Sequence, residues 1–274
     1  MAHHLPYAGT IARQGDPDRF FLSVMYPENV HMPVWSLLAF QHEIAKTREV
    51  VTEPTLGLIR LQWWRDALDN IYAGNPVPPH EILQPLAQTI QKYKLPQAAF
   101  EQLLQAREFD LEGKAPADLP SLARYARDTS APLTRLVLGV TDPDVEADGA
   151  AAISQAYALA GLMRALPFHV RDGRCYIPET LLHEYGLKEG GDMFVPGNKD
   201  SSRAIVQSLH DQALECIGAG GRKAVWLAGI SSMTQQFLAH IRRRSFDITD
   251  SRYAMAPPFF HVRTYIDVLL KRAG

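Results

Sequence analysis

Apolar residues recur at helical spacing along most of this chain. Leu58, Leu61, Trp64, Leu68 and Ile71 step by three or four positions, and Phe100, Leu103, Leu104, Arg107 and Leu111 form a second such row. That repeat is one face of an α-helix. Proline inside a helix removes a hydrogen bond and clashes with the preceding turn, so helices are expected in the Pro-bounded stretches 33–54, 54–76, 96–116, 143–167 and 196–257. Residues 145–166 are apolar nearly all round, with Ala147, Ala150, Ala151, Ala152, Ala156, Ala158 and Ala160, a pattern that suits a helix in the middle of a bundle. Strict alternation is almost absent, and the one β-like piece is Arg174-Cys175-Tyr176-Ile177 after Asp172-Gly173. Residues 73–80, 114–120 and 189–200 are turn-rich and read as loops, none of them long or biased enough for an interdomain linker. No internal repeat is present. The expectation is all-α: one domain over residues 1–274 with eight or more helices.

Composition narrows the function. Hydrophobic residues make up 46% and charged residues 21%, which is the balance of a chain that folds around a core. Lys and Arg number 28 against 30 Asp and Glu, a net charge of −2, so no broad electrostatic footprint for nucleic acid is expected. Cys175 and Cys216 have neither the spacing of a disulfide framework nor that of a zinc site. The first twenty residues lack the apolar stretch of a secretory signal and the Arg- and Ser-rich character of a transit peptide. No window approaches the roughly 18 apolar residues of a membrane span. These features lead us to expect a cytoplasmic protein, with peripheral contact at the inner face of a membrane left open. Gly-x-Ser-x-Gly, the phosphate-binding lysine loop, the dinucleotide glycine fingerprint and His-Glu-x-x-His are all missing.

Four pieces in fixed order resemble the squalene/phytoene synthase family: Phe20-Phe21 through Pro27 with Trp35 to Phe40; Trp64-Arg65-Asp66-Ala67-Leu68 with Gly74 and Pro76; Glu108-Phe109-Asp110-Leu111; and Gly173-Arg174-Cys175-Tyr176-Ile177-Pro178. The resemblance implies a single multi-helix bundle of the isoprenoid synthase type. In the family's enzymes two Asp-x-x-x-Asp motifs share helix faces, and their carboxylates hold Mg2+ on a prenyl diphosphate as it ionises. Carried onto this chain, the first motif falls on Ala45 and Glu49 and the second on Ala165 and His169, so three of the four positions lack a carboxylate.

A branch of the family, complex I assembly factor 6, resembles the chain over nearly its whole length. The stretches are Leu38 to Phe40 with Glu43-Ile44-Ala45, Glu53 with Thr55 to Trp64, Leu162-Met163-Arg164-Ala165-Leu166-Pro167-Phe168-His169, and Phe246-Asp247-Ile248. The resemblance implies a non-catalytic protein for assembly or maturation of respiratory complex I, whose partners are complex I subunits or assembly intermediates. It also implies a residual cavity able to take an isoprenoid or lipid. No catalytic residue, metal ligand or cofactor is expected on this reading. The alternative is a Mg2+-dependent prenyltransferase condensing isoprenyl diphosphates, with Glu49, Glu53, Glu108 or Asp110 replacing the lost carboxylates.

The candidate pocket residues are His42, Glu49, Glu53, Trp64, Glu108, Asp110, Arg164, His169, Arg174 and Tyr176. Positions 42, 45/46, 49 and 53 share one stripe if a single helix runs through them. His169 is expected just beyond a helix end at Pro167, and Arg164, in an apolar helix, needs a partner. Trp64 is most simply bundle core, though an aromatic wall also suits a prenyl chain. Arg242-Arg243-Arg244 and Lys271-Arg272 complement helix C-termini or touch anionic lipid headgroups.

Overall fold

The computed structural model describes residues 5–145, 149–218 and 224–273, the last three without their side chains. Residues 146–148, at the start of the expected Ala-rich helix, and the side chains of Lys271 and Arg272 lie outside the described residues. Among the described residues there are thirteen α-helices and no strand. They fall into two compact units: Met1–Glu112, Pro132–Ala147 and Ala224–Trp226 form one, and Gly113–Ala131, Asp148–Lys223 and Leu227–Gly274 the other.

The first unit contains α1 (Tyr7–Gly15), α2 (Pro17–Ser23), α3 (His31–Ala45), α4 (Thr47–Val50), α5 (Pro54–Tyr72), α6 (Leu83–Tyr93) and α7 (Gln97–Glu112). It also takes the second half of α8 (Leu119–Thr141). Helix α3 is apolar on nearly every side and is buried accordingly, with α1, α6 and α7 packed on it. Phe40 lies at its centre, meeting Trp64 of α5 edge-on at 5.2 Å and Phe100 of α7 at 5.5 Å. The close approach of α1 rests on glycines: a Cβ on Gly9 would come within 2.8 Å of the Trp35 ring, and one on Gly15 within 2.3 Å of His42 Nδ1. Several buried polar groups in the unit are bonded to one another. Trp35 Nε1 donates to Ser23 Oγ at 2.8 Å, and the Ser36 and Thr89 hydroxyls meet at 3.1 Å. The Trp226 backbone N–H donates to Tyr26 Oη, whose own proton goes to Asp142.

The second unit contains the first half of α8, then α9 (Ala150–Arg171), α10 (Glu179–Glu184), two 3₁₀ turns (Gly190–Phe194 and Pro196–Asn198), α11 (Lys199–Gly218), most of α12 (Val225–Arg243) and α13 (Phe260–Ala273). Its core joins Leu122, Leu159, Met163, Leu166, Ile177, Ile205, Leu209, Phe237, Leu238, Ile241 and Tyr253. Helices α12 and α13 run antiparallel: Ser232 Oγ donates to Asp267 at 2.6 Å, and Gln236 Nε2 to Thr264 Oγ1 at 2.9 Å.

Three expectations change. Helix α9 does not stop at Pro167 but continues to Arg171, because a proline so near the C-terminus removes only the bond to the Met163 carbonyl. His169 is therefore inside the last turn. The Ala-rich helix is also less enclosed than α3 and leaves Ala151, Gly161 and Phe168 exposed, since small residues make both faces look apolar without filling a core. The piece 174–177 is not a strand. It follows a helix cap in which Gly173, at φ +69°, lets the Gly173 N–H reach Val170 O and the Arg174 N–H reach His169 O.

Candidate functional site

The first unit holds six of the candidates, and it does not place them on one stripe. Helix α3 ends at Ala45, and α4 is a separate single turn. Glu53 is extended, with φ −116° and ψ 136°, the conformation that a following proline enforces. Glu49 and Glu53 are exposed, while His42 is half-buried against Gly15. Burial, and then the nearby Lys46 charge, holds the His42 imidazolium below its ordinary range. Trp64 is enclosed by Phe40, Trp63 and His80, so its ring is core. Glu108 accepts from Arg65 at 2.6 Å, the same guanidinium that binds Glu101, and Asp110 accepts from Arg107 at 3.1 Å.

Sequence reading passed over Glu43 as a site residue. Its carboxylate is buried in α3 and bound by Lys46, one turn on, and by Arg60 Nη2 of α5 at 2.6 Å. A Glu–Lys pair three apart in an apolar helix was a usable signal; Arg60 was not, being 17 residues away.

The other four candidates belong to the second unit. His169 meets the Tyr176 ring edge-on at 4.8 Å, and Tyr176 stacks on Tyr125 at 5.5 Å. Arg174 binds Asp172 at 3.2 Å across the cap turn. Arg164 donates through Nε to the Ala254 carbonyl at 3.0 Å and lies over the Phe237 ring. His169 and Tyr176 are thus brought together. Both cysteines are free thiols, and burial raises their pKa values.

A cavity of about 330 Å³ opens in this unit where none of the candidates lies. Met193, Phe194, Val195, Pro196 and Ile248 give it apolar walls, and Lys199, Ser202, Arg203, Asp247 and Thr249 its polar ones. Asp247 is the hub. It accepts from Lys199 Nζ at 2.7 Å, Arg203 Nη2 at 3.5 Å and both the N–H and hydroxyl of Thr249. Partial burial pushes its carboxyl up, but these donors prevail and hold it at about 2. The neighbouring Ser245 and Phe246 both sit at positive φ, 51° and 57°, a conformation costing non-glycine residues about 1–2 kcal/mol each.

Mg2+, which the family's enzymes use, requires several oxygen ligands converging on one point. At the corresponding positions the chain offers Ala45, exposed Glu49, Ala165 and the His169 imidazole. Among the described residues no group of three or more His, Cys, Asp or Glu could hold a metal. The donor set does not fit the ion.

The squalene/phytoene synthase family model matches residues 12–259. The mouse protein named NADH dehydrogenase (ubiquinone) complex I, assembly factor 6 is 28% identical over 211 residues, which cover 76% of this chain and 62% of that protein. The chain therefore spans less than two thirds of that relative. The human protein of the same name is 26% identical over 274 residues, covering 94% of this chain and 81% of its own length. Phytoene synthase from Cereibacter sphaeroides is 26% identical over 205 residues, 68% of this chain and 55% of the enzyme. Among solved structures, squalene synthase HpnC from Alicyclobacillus acidocaldarius superposes with a TM-score of 0.71 at 20% identity, covering 88% of this chain and 93% of that one. A dehydrosqualene synthase in complex with ligand gives 0.72 at 15% identity, covering 96% and 94%. These two likenesses show the all-α isoprenoid synthase fold. With the family model matched over most of its length, the chain belongs to the squalene/phytoene synthase family.

Proposed function

We propose that this protein acts in the assembly or maturation of respiratory complex I and does not ionise prenyl diphosphates. The observation that carries the reading is the donor set: Ala45, Glu49, Ala165 and His169 stand where a diphosphate-binding metal needs aspartates. Likeness to proteins named complex I assembly factor 6 supports complex I subunits or assembly intermediates as partners. Of the carboxylates named as substitutes, Glu108 is engaged by Arg65 and Asp110 by Arg107, while Glu49 and Glu53 are exposed. The family match runs through residues of both units, which supports one family domain over residues 1–274. A residual cavity holding an isoprenoid or lipid, and peripheral contact with the inner face of the membrane from the cytoplasm, belong to the same proposal. No helix among the described residues is long and apolar enough to cross a membrane.

Two measurements test this together. Calorimetric titration with Mg2+ and a non-hydrolysable farnesyl diphosphate analogue is expected to show no metal-dependent binding. Deletion of the gene is expected to lower NADH:ubiquinone oxidoreductase activity in isolated membranes, with restoration by the intact gene. Tight Mg2+-dependent binding, product formation from isoprenyl diphosphates and undiminished complex I in the deletion strain would together establish the prenyltransferase instead.

A further inference from the structure

The C-terminal helix turns an apolar face to solvent. Phe260, Thr264 and Val268 of α13 are buried, whereas Val262, Tyr265, Ile266, Leu269 and Leu270 are exposed. At 3.6 residues per turn the exposed five cover an arc of about 140°, almost diametrically opposite the buried three. Leu270 is 67% exposed. The segment leading into the helix continues this surface: Met255, Ala256, Pro258 and Phe259 are exposed and none carries charge. Phe259 is the most exposed large apolar side chain among the described residues, at 72%, and its backbone is held at φ +59°. A strained backbone that presents an aromatic ring to water contributes nothing to the core.

Charge decides what covers this face. Residues 242–272 contain seven Lys and Arg against Asp247, Asp250 and Asp267, a net charge of +4 in a chain whose total is −2. Arg242, Arg243 and Arg263 are exposed and form no ion pair among the described residues. Arg263 borders the apolar arc beside Leu270 in the helical projection. The antiparallel packing brings the C-terminal end of α12 toward the start of α13: Gln236 Nε2 reaches the Phe260 carbonyl at 3.4 Å, and His240 Nε2 bonds the Arg252 carbonyl, just before Met255, at 2.9 Å. A second copy pairing through this face would bring two such cationic regions together. The outer side of a lone helix is also convex and offers no groove for a partner's side chains. We infer that the Met255–Phe259 segment and the outer face of α13 dock on an anionic lipid bilayer, with the apolar side chains entering the interface and the arginines meeting lipid phosphates. This deepens the peripheral contact proposed above by naming its surface.

The test uses the full chain and vesicles, without complex I, so that it can fail independently of the assembly role. Co-sedimentation compares phosphatidylcholine vesicles with mixed phosphatidylcholine and phosphatidylglycerol vesicles. The expected result is preference for the mixed vesicles, weakened by added salt. The double substitution Ile266→Ser with Leu270→Ser should lower affinity about tenfold or more, and Arg263→Gln severalfold. All three side chains are exposed, so the fold should be kept, which circular dichroism of each variant checks. Phe259→Gly separates binding from architecture, since glycine accepts the positive φ: its unfolding temperature should rise while vesicle binding weakens. Equal affinity for both vesicle types, or binding undiminished in the double variant or in Phe259→Gly, would overturn the inference. A dimer of the free chain that the double substitution dissolves would give the face to a second copy and overturn it too. Lipid-free binding to complex I subunits, lost in the same variant, would give it to a protein.

Discussion

Asp247→Asn removes one charge from the most densely bonded carboxylate among the described residues of the second unit. Its salt bridges run to Lys199, whose side chain is 47% exposed, and to Arg203, 37% exposed, at 2.7 and 3.5 Å. Water screens both, so the pair to Lys199 is worth up to about 1 kcal/mol and that to Arg203 a few tenths. The amide oxygen of Asn still accepts from the Thr249 N–H and hydroxyl, but neutral acceptors bond about half as strongly as ionised ones. The expected loss is therefore about 1–2 kcal/mol at neutral pH, or roughly 2–6 °C in unfolding temperature for a unit of this size. The sign of the pH dependence follows from linkage. The folded carboxyl, at about 2, lies below an unfolded aspartate near 3.9, so its stabilisation is fully present above about pH 4 and fades as pH falls toward 2. Urea unfolding of wild type and variant across this range should show a constant gap that closes in acid. A variant as stable as wild type at neutral pH, or a gap persisting at the acid end, would refute the reasoning.

Phe40→Ala empties the aromatic centre of the first unit and is expected to cost about 3–5 kcal/mol, measured by chemical unfolding. Gly15→Ala drives a Cβ into the His42 ring and should destabilise by about 1–3 kcal/mol; removing the ring as well, with His42→Ala, should recover part of that loss in a double-mutant cycle. The His42 ring should titrate below a free histidine by NMR, because burial and Lys46 disfavour its proton. Since the unfolded chain then binds that proton more readily, the contribution of His42 to stability is present above about pH 6.5 and declines as pH falls below it. Glu43→Ala should destabilise the first unit by about 1–3 kcal/mol by stripping Arg60 and Lys46 of their acceptor, whereas Glu49→Ala, at an exposed position, should change stability by less than about 0.5 kcal/mol.

What the residues determined by themselves was the kind of structure. Helical spacing of Leu58 to Ile71 and of Phe100 to Leu111 survives as α5 and α7, because local periodicity and proline placement act within a turn or two. The family was equally legible, since its motifs are short runs such as Gly173 to Pro178. That Ala45, Ala165 and His169 carry no carboxylate could be read at single positions. Tertiary packing decided the rest. Whether positions 42 to 53 formed one stripe depended on the helix break between α3 and α4 and on Pro54 forcing Glu53 extended. Which cation neutralised Glu43 depended on α5 laying Arg60 beside it, and the cavity around Asp247 exists only because the 3₁₀ turns, α11 and the turn after α12 converge there. The same holds for α13, where apolar residues occupy most of the helix circumference. Hydrophobicity alone cannot say which arc will be covered; packing against the unit buried Phe260, Thr264 and Val268 and left Val262, Ile266 and Leu270 facing water. Burial is a property of what a side chain meets, and most of what these residues meet is distant in sequence.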